Sequence, residues 1–162
     1  MAASRILAEI KQNKPFSTLE QETIVAFMKT ADRLRRLQGT MFEPHDLTGQ
    51  QFNVLRILRG AGPDGLPTLT VADRLIEHTP GITRLIDRLE VKGLVRRERP
   101  DQDRRQVYCF ITKAGLELLL KLDPAVEKSA KRLLKNLSKT EMQSLLAAMG
   151  EIRDASWYFL SK

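Results

Sequence analysis

A chain of 162 residues, 42% hydrophobic and 29% charged, is long and apolar enough to bury a core, while no apolar run approaches the ~20 residues of a membrane span. The first ten residues lack the apolar centre of a secretory signal, so a cytoplasmic location is expected, and a lone cysteine, Cys109, excludes an internal disulfide or a thiolate zinc cluster. A formal charge of +7 and a pI of about 9.8 suit an anionic partner.

Ser17-Thr18-Leu19-Glu20 reads as a capping box in which the Ser17 hydroxyl accepts from the Glu20 N–H and the Glu20 carboxylate reaches back, so a helix is predicted to start there. Ile24, Phe27, Met28, Ala31, Leu34, Leu37 and Met41 follow at spacings of three and four, and Gly39 and Pro44 are placed to end the helix. A second box, Thr48-Gly49-Gln50-Gln51, is flanked by Leu47 and Phe52 as a hydrophobic staple, with Phe52, Leu55, Ile57 and Leu58 as the predicted buried face. Gly60, Gly62, Pro63, Asp64, Gly65 and Pro67 then predict a loop.

Thr70 is predicted to cap a short helix over 71–76 that turns Ala72, Leu75 and Ile76 inward. After a turn at Glu77 and His78, Thr79 is expected to cap the next helix, with Pro80 at its first position. Ile82, Leu85, Ile86 and Leu89 form its inward stripe, which leaves Pro80, Gly81, Thr83, Arg84, Asp87 and Arg88 outward. Gly93 is placed to stop it in a left-handed conformation. Residues 94–99 and 106–111 alternate as two strands around a polar turn, 100–105. A helix pair feeding a hairpin reads as a winged helix-turn-helix.

Thr112 opens a helix carrying Leu116, Leu118, Leu119, Leu120 and Leu122, and Asp123-Pro124 predicts either a kink or a fresh start capped by Asp123. Val126, Ala130, Leu133, Leu134 and Leu137 continue the stripe. A third box, Ser138-Lys139-Thr140-Glu141, with Leu137 and Met142 as staple, opens the last helix, which shows Leu145, Leu146, Met149, Ile152, Ala155, Trp157, Phe159 and Leu160. The terminal helices are too apolar on one side to stand alone in water. Burial against one another and against a second subunit is expected, the alternative being a monomer closing one core. The expected fold is mainly α with a small β-hairpin wing, divided into an N-terminal dimerisation helix (1–46), a winged helix-turn-helix (47–115) and C-terminal dimerisation helices (116–162).

Three stretches, Thr83-Arg84-Leu85-Ile86-Asp87-Arg88-Leu89-Glu90, Lys92-Gly93-Leu94-Val95, and Asp103-Arg104-Arg105 with Ile111-Thr112-Lys113-Ala114-Gly115, resemble the MarR family of bacterial transcription regulators. The resemblance extends in order and spacing over most of the chain. It implies a homodimer with intertwined terminal helices whose winged lobes bind a pseudo-palindromic double-stranded DNA operator, usually repressing nearby genes. It also implies a small-molecule effector, often aromatic or phenolic, that enters a crevice between the dimer helices and the DNA lobe and releases the DNA. No cofactor, metal or membrane partner is implied. No nucleophile-base-acid arrangement, phosphate-cradling glycine loop or metal-ligand spacing suggests an enzyme. Members that sense oxidants carry their thiol in the first helix, whereas Cys109 lies in the second wing strand, where core packing is expected.

By this resemblance Arg105 enters the minor groove as a wing arginine, with Asp103 directing its guanidinium and Arg104 sharing the phosphate contacts. Thr83 and Arg84 face base edges or phosphates, and Pro80 and Gly81 permit close backbone approach. Arg88 and Asp87 are divided between DNA and internal bridges, and Arg74, Arg96, Arg97 and Arg99 supply background field. His45 and His78 are too isolated for a metal site. Phe27, Met28, Met41, Phe42 and Leu55 are candidates to line the effector crevice, with core packing as their alternative. The competing function is a winged-helix module for protein or RNA contact without ligand response.

Overall fold

A computed structural model describes residues 5–99 and 106–160 of the chain, which packs as two compact units, Met1–Leu116 and Glu117–Lys162. The first carries α1 (Arg5–Ile10), α2 (Leu19–Phe42), α3 (Gly49–Ala61), β1 (Leu66–Pro67), α4 (Thr68–Asp73), α5 (Ile82–Val91), β2 (Val95–Glu98) and β3 (Tyr108–Ile111). α6 (Lys113–Leu133) begins at its end and runs into the second unit, which also holds α7 (Lys139–Leu160). The architecture is mostly helical with one small antiparallel sheet, as the sequence predicts.

The core of the first unit forms where α3, α4 and α5 meet the sheet: Val54, Leu55, Leu58, Val71, Ile86, Leu89 and Cys109 are fully buried. The Thr48 box sets the entry to α3. The Gln51 N–H donates to the Thr48 hydroxyl at 3.2 Å, and the Thr48 N–H donates to Gln51 Oε1 at 3.0 Å, so two otherwise orphaned helix donors are satisfied. Leu47 and Phe52 are both buried beside it, and Phe52 stacks on Phe42 at 4.3 Å, which joins the end of α2 to α3. Val54 takes the core place expected of Ile57, which is half-buried. Positions 51, 54, 55 and 58 share one helical face and 57 falls at its edge.

The glycine- and proline-rich stretch expected to be only a loop contributes β1, and the sheet has the order β1-β3-β2. Leu66 pairs with Cys109 and Pro67 with Tyr108, and on the other side Val95, Arg96, Arg97 and Glu98 pair with Ile111, Phe110, Cys109 and Tyr108. Pro67 is tolerated because β1 is an edge strand.

Several helix boundaries differ from the sequence reading. α1 was not anticipated; Ile6 is buried, and Glu9 bridges to Arg33 of α2 at 3.0 Å. Thr18, not Ser17, caps α2, accepting from the Gln21 N–H at 3.3 Å, since the sequence offers two overlapping capping registers and the backbone is extended at Thr18. Gly39 lies within α2, which ends at Phe42 just before Pro44. α4 starts three residues before the expected position because the Thr68 N–H and hydroxyl both donate to the Val107 carbonyl, at 2.9 and 3.0 Å. Thr70 is therefore inside the helix, Val71 is the buried residue, Ala72 and Leu75 are half-buried, and Ile76 is 83% exposed.

α5 begins at Ile82 through Gly81, whose φ of +97° favours glycine, so Thr79 is not its cap and Pro80 precedes the helix. Its end follows the expectation: at Gly93 (φ +69°) the Gly93 N–H bonds the Glu90 carbonyl at 2.8 Å and the Leu94 N–H bonds the Leu89 carbonyl at 3.0 Å, the paired bonds of a Schellman stop. Thr112 then accepts from the Gly115 N–H at 3.1 Å and donates to the Gly93 carbonyl at 2.7 Å, so one hydroxyl both caps α6 and holds the end of α5.

In the second unit α6 passes through Pro124 without a fresh start at Asp123, the apolar stripe on both sides carrying the helix across the lost donor. The Ser138 box is formed, with Ser138 N–H to Glu141 Oε2 at 2.8 Å and Glu141 N–H to Ser138 Oγ at 3.2 Å; donation by the Ser138 hydroxyl, at 2.7 Å, and by its backbone N–H holds the Glu141 carboxyl below the usual carboxylate range. α7 buries none of its side chains. Among the described residues, no helix is long and apolar enough to cross a membrane.

Candidate nucleic-acid interface

α5 is gripped from behind and left open in front. Leu85, Ile86 and Leu89 are buried and Ile82 is half-buried, which anchors one side of the helix in the core. The turn leading into it is pinned to its neighbours. The Ile76 N–H donates to Asn53 Oδ1 of α3 at 2.9 Å, Glu77 pairs with Arg35 of α2 at 2.6 Å, and the Thr79 hydroxyl donates to the Glu77 carbonyl at 3.0 Å. At the far end Lys92 bridges the Asp46 carboxylate at 3.0 Å and also donates to its carbonyl. A helix fixed at both ends presents its open face in a defined direction.

That face carries Pro80, Gly81, Thr83, Arg84 and Arg88, all exposed. Among the described residues no side chain caps the first N–H groups of α5, so its N-terminus keeps the donors and partial positive charge that suit a phosphate. Among the described residues neither Arg84 nor Arg88 has a carboxylate partner. They stand four residues apart, where like charges repel by a few tenths of a kcal/mol, and an approaching phosphate would relieve that repulsion.

Asp87 and Glu90, the two acids of α5, are neutralised from the wing. Arg97 of β2 contacts Asp87 at 2.7 Å through Nη1, donates to Glu90 Oε2 at 2.9 Å through Nε and also through Nη2, and its backbone N–H donates to Glu90 Oε1 at 3.2 Å. The Arg97 guanidinium holds the Glu90 carboxyl below its ordinary range, and Glu90 in turn raises Arg97. Arg96 is also committed within the sheet, over the Phe110 ring at 4.2 Å and against Glu98. Sequence reasoning treated Arg97 as background charge. The missed signal was alternation: Val95 and Arg97 share a strand face, Val95 is buried, and Asp87 and Glu90 lie one turn apart on the helix behind it.

Asp103, Arg104 and Arg105 lie outside the described residues. Cys109 is fully buried with its Sγ 3.4 Å from the Thr68 hydroxyl, and burial pushes the thiol up, so it stays protonated and unreactive at neutral pH. A cavity of about 670 Å³ is bounded by Arg35 and Gln38 of α2, the start of α3, Leu75 and Ile76, and Arg88 and Lys92. None of the five expected crevice residues lines it. Phe42 and Leu55 are buried in the core, Met41 is half-buried, and Phe27 and Met28 are exposed on α2.

The model of the MarR family matches residues 47–107, the stretch running from the cap of α3 to the start of β3. The homoprotocatechuate degradative operon repressor of Escherichia coli is 30% identical over 107 residues, covering 66% of this chain and 71% of the relative. Among solved structures, a MarR transcription factor from Planctomyces limnophilus is 40% identical with a TM-score of 0.66, over 84% of this chain and 98% of the other. The fold is also that of Staphylococcus aureus MepR in its DNA complex, with a TM-score of 0.74 at 22% identity over 85% of this chain and 99% of MepR. With a reading helix, a wing and relatives of this kind, the chain belongs to the MarR family of DNA-binding transcription regulators.

Proposed function

We propose that the protein is a homodimeric repressor that binds a pseudo-palindromic operator through α5 and the wing and is released by a small aromatic or phenolic ligand. The observation that carries the DNA reading is the face of α5, where among the described residues Arg84 and Arg88 have no carboxylate partner and the helix start no side-chain cap, while both acids of the helix are held by Arg97. Pro80, Gly81, Thr83 and Arg84 form the reading edge, Arg88 contacts phosphate, and Asp103, Arg104 and Arg105 act from the wing tip. Dimerisation is supported by the apolar side chains left in water on α2 and α7, among them Phe27, Met28, Leu145, Leu146 and Trp157. Each such side chain is worth roughly 1.5–3 kcal/mol when fully buried. Two reading helices about one helical turn (~34 Å) apart would then enter successive major grooves.

Ligand release is supported by the E. coli relative, named as the repressor of an operon for homoprotocatechuate degradation, and by the cavity beside α5. A ligand there would touch Arg35, Arg88 and Lys92 together, and so could shift α5 against α2. The exposed Phe27 and Met28 remain candidates for a crevice completed by a second subunit.

The test starts with selection of duplexes from a random pool by the full chain, followed by titration of the enriched palindrome against salt. Phosphate contacts make log K fall linearly with log salt, by about 0.9 per neutralised phosphate. Affinity indifferent to both salt and sequence would end the repressor reading in favour of a module for protein or RNA contact.

A further inference from the structure

The geometry points to Arg97 as a positioning residue: by clamping Asp87 and Glu90 it fixes the direction of the wing relative to the reading helix, so that the wing's share of DNA specificity passes through it. This inference rests on the DNA-binding reading above. Its basis is the kind of connection made. Arg97 engages α5 twice, by its main chain and by its side chain, and Glu90 accepts from both, one carboxylate oxygen to the backbone N–H and the other to the guanidinium. Contacts at two levels of one residue restrain rotation as well as separation. The planar guanidinium fork also spans two acids one helical turn apart, which a lysine ammonium cannot reproduce.

The clamp sits where leverage is greatest. Arg97 is paired in register with Cys109 of the central strand, whose buried thiol lies against Thr68 at the start of α4, so the base of the hairpin is held on both sides. Glu98 follows at once as the last residue of β2, so Arg97 sits close to the end of the strand. A strand rises ~3.3 Å per residue, so any tilt at the clamp grows with distance along the strand, and a hydrogen bond tolerates only a few tenths of an ångström of displacement. The bridge is only partly shielded, its arginine side chain 29% exposed and its glutamate 37%, so it contributes little to stability on its own. Direction is what it supplies.

The test uses the full chain and the palindrome enriched by the wild-type protein, with the central bases and the flanks varied separately. Arg97→Met is expected to cut discrimination between A·T-rich and G·C-rich flanks by about five- to tenfold, the scale of one specific contact, while discrimination among central bases stays within twofold. Arg97→Lys should recover only part of the flank preference. In an Arg105→Ala background, Arg97→Met should cause no further flank loss, because both changes disable the same contact. Equal loss at centre and flanks, full recovery by lysine, or additivity with Arg105→Ala would overturn the inference. If Arg97→Met does not fold, Glu90→Gln gives the milder form of the same test, with a smaller loss confined to the flanks expected and no loss overturning it. Should the wild-type protein enrich no sequence at all, the DNA reading itself fails, and the inference with it.

Discussion

α5 and α7 are both amphipathic helices, and they have opposite fates. α5 has 10 residues, buries Leu85, Ile86 and Leu89 within its own unit, and shows water a polar, cationic face. α7 has 22 residues and buries none of them; Leu145 is 45% exposed, Leu146 64% and Trp157 71%. The apolar stripe of α5 meets complementary surface from the same chain. That of α7 has its large side chains in water, the kind of exposed apolar surface that marks a contact site. The comparison teaches that one helix meets its apolar complement within its own unit and the other leaves its apolar side chains exposed, which is what the proposed dimer would cover.

The largest expected effect comes from breaking the incomplete helix. Leu145→Asp or Leu146→Asp should dissociate the dimer and abolish operator binding, because burying an unpaired carboxylate at the interface costs several kcal/mol. Sedimentation of both variants would check this; an intact dimer in each would place the interface elsewhere. The complete helix should respond differently. Arg84→Ala should weaken operator binding by roughly 1–3 kcal/mol with the dimer intact and thermal stability unchanged or slightly higher, since it removes a like-charge neighbour of Arg88. Unchanged affinity in a titration against the enriched duplex would take Arg84 off the reading edge.

Smaller effects sharpen how the reading unit is held. Thr48→Ala should lower stability by about 1 kcal/mol in urea unfolding, because the Gln51 N–H loses the hydroxyl that accepts from it. A loss near zero would mean that the Leu47 and Phe52 staple alone fixes the start of α3. The smallest effect lies at Glu90. Its folded carboxyl sits below the ordinary range, so the bridge to Arg97 stabilises the fold above the unfolded value near ~4 and its contribution is lost as pH falls through the folded value. The stability gap between wild type and Glu90→Gln, a few tenths of a kcal/mol at pH 7 for so exposed a pair, should therefore close on acidification. A gap that widened below about pH 4 would contradict the bridge.

Much of this was legible in the residues themselves. Periodicity located α2, α3, α5, α6 and α7, and the boxes at Thr48 and Ser138 formed as read, because each offers a single capping register, whereas the adjacent Ser17 and Thr18 offer two. Local rules failed where tertiary contacts compete. Thr68 bonds across 39 residues to Val107, and this set the start of α4 against the local preference for Thr70. The strand at Leu66–Pro67 exists only because β3 lies beside it. The exposed side of α5 followed from the spacing of its leucines and isoleucines, whereas the clamp at Arg97 did not, since an arginine among arginines looks like solvated charge until its strand is packed on a helix bearing two acids. The cavity beside α5 was also beyond reach, being lined from well-separated stretches of chain.

The central claim of the proposal is that the cationic face of α5 reads DNA in pairs, with the terminal helices supplying the pairing. Its most direct test is the stoichiometry and affinity of the full chain on the enriched palindrome compared with a duplex of equal length bearing one half-site. The account predicts two chains per palindrome and at least about a hundredfold weaker binding to the single half-site, within the range expected when a second contact becomes intramolecular. One chain per duplex with equal affinity for both would contradict it.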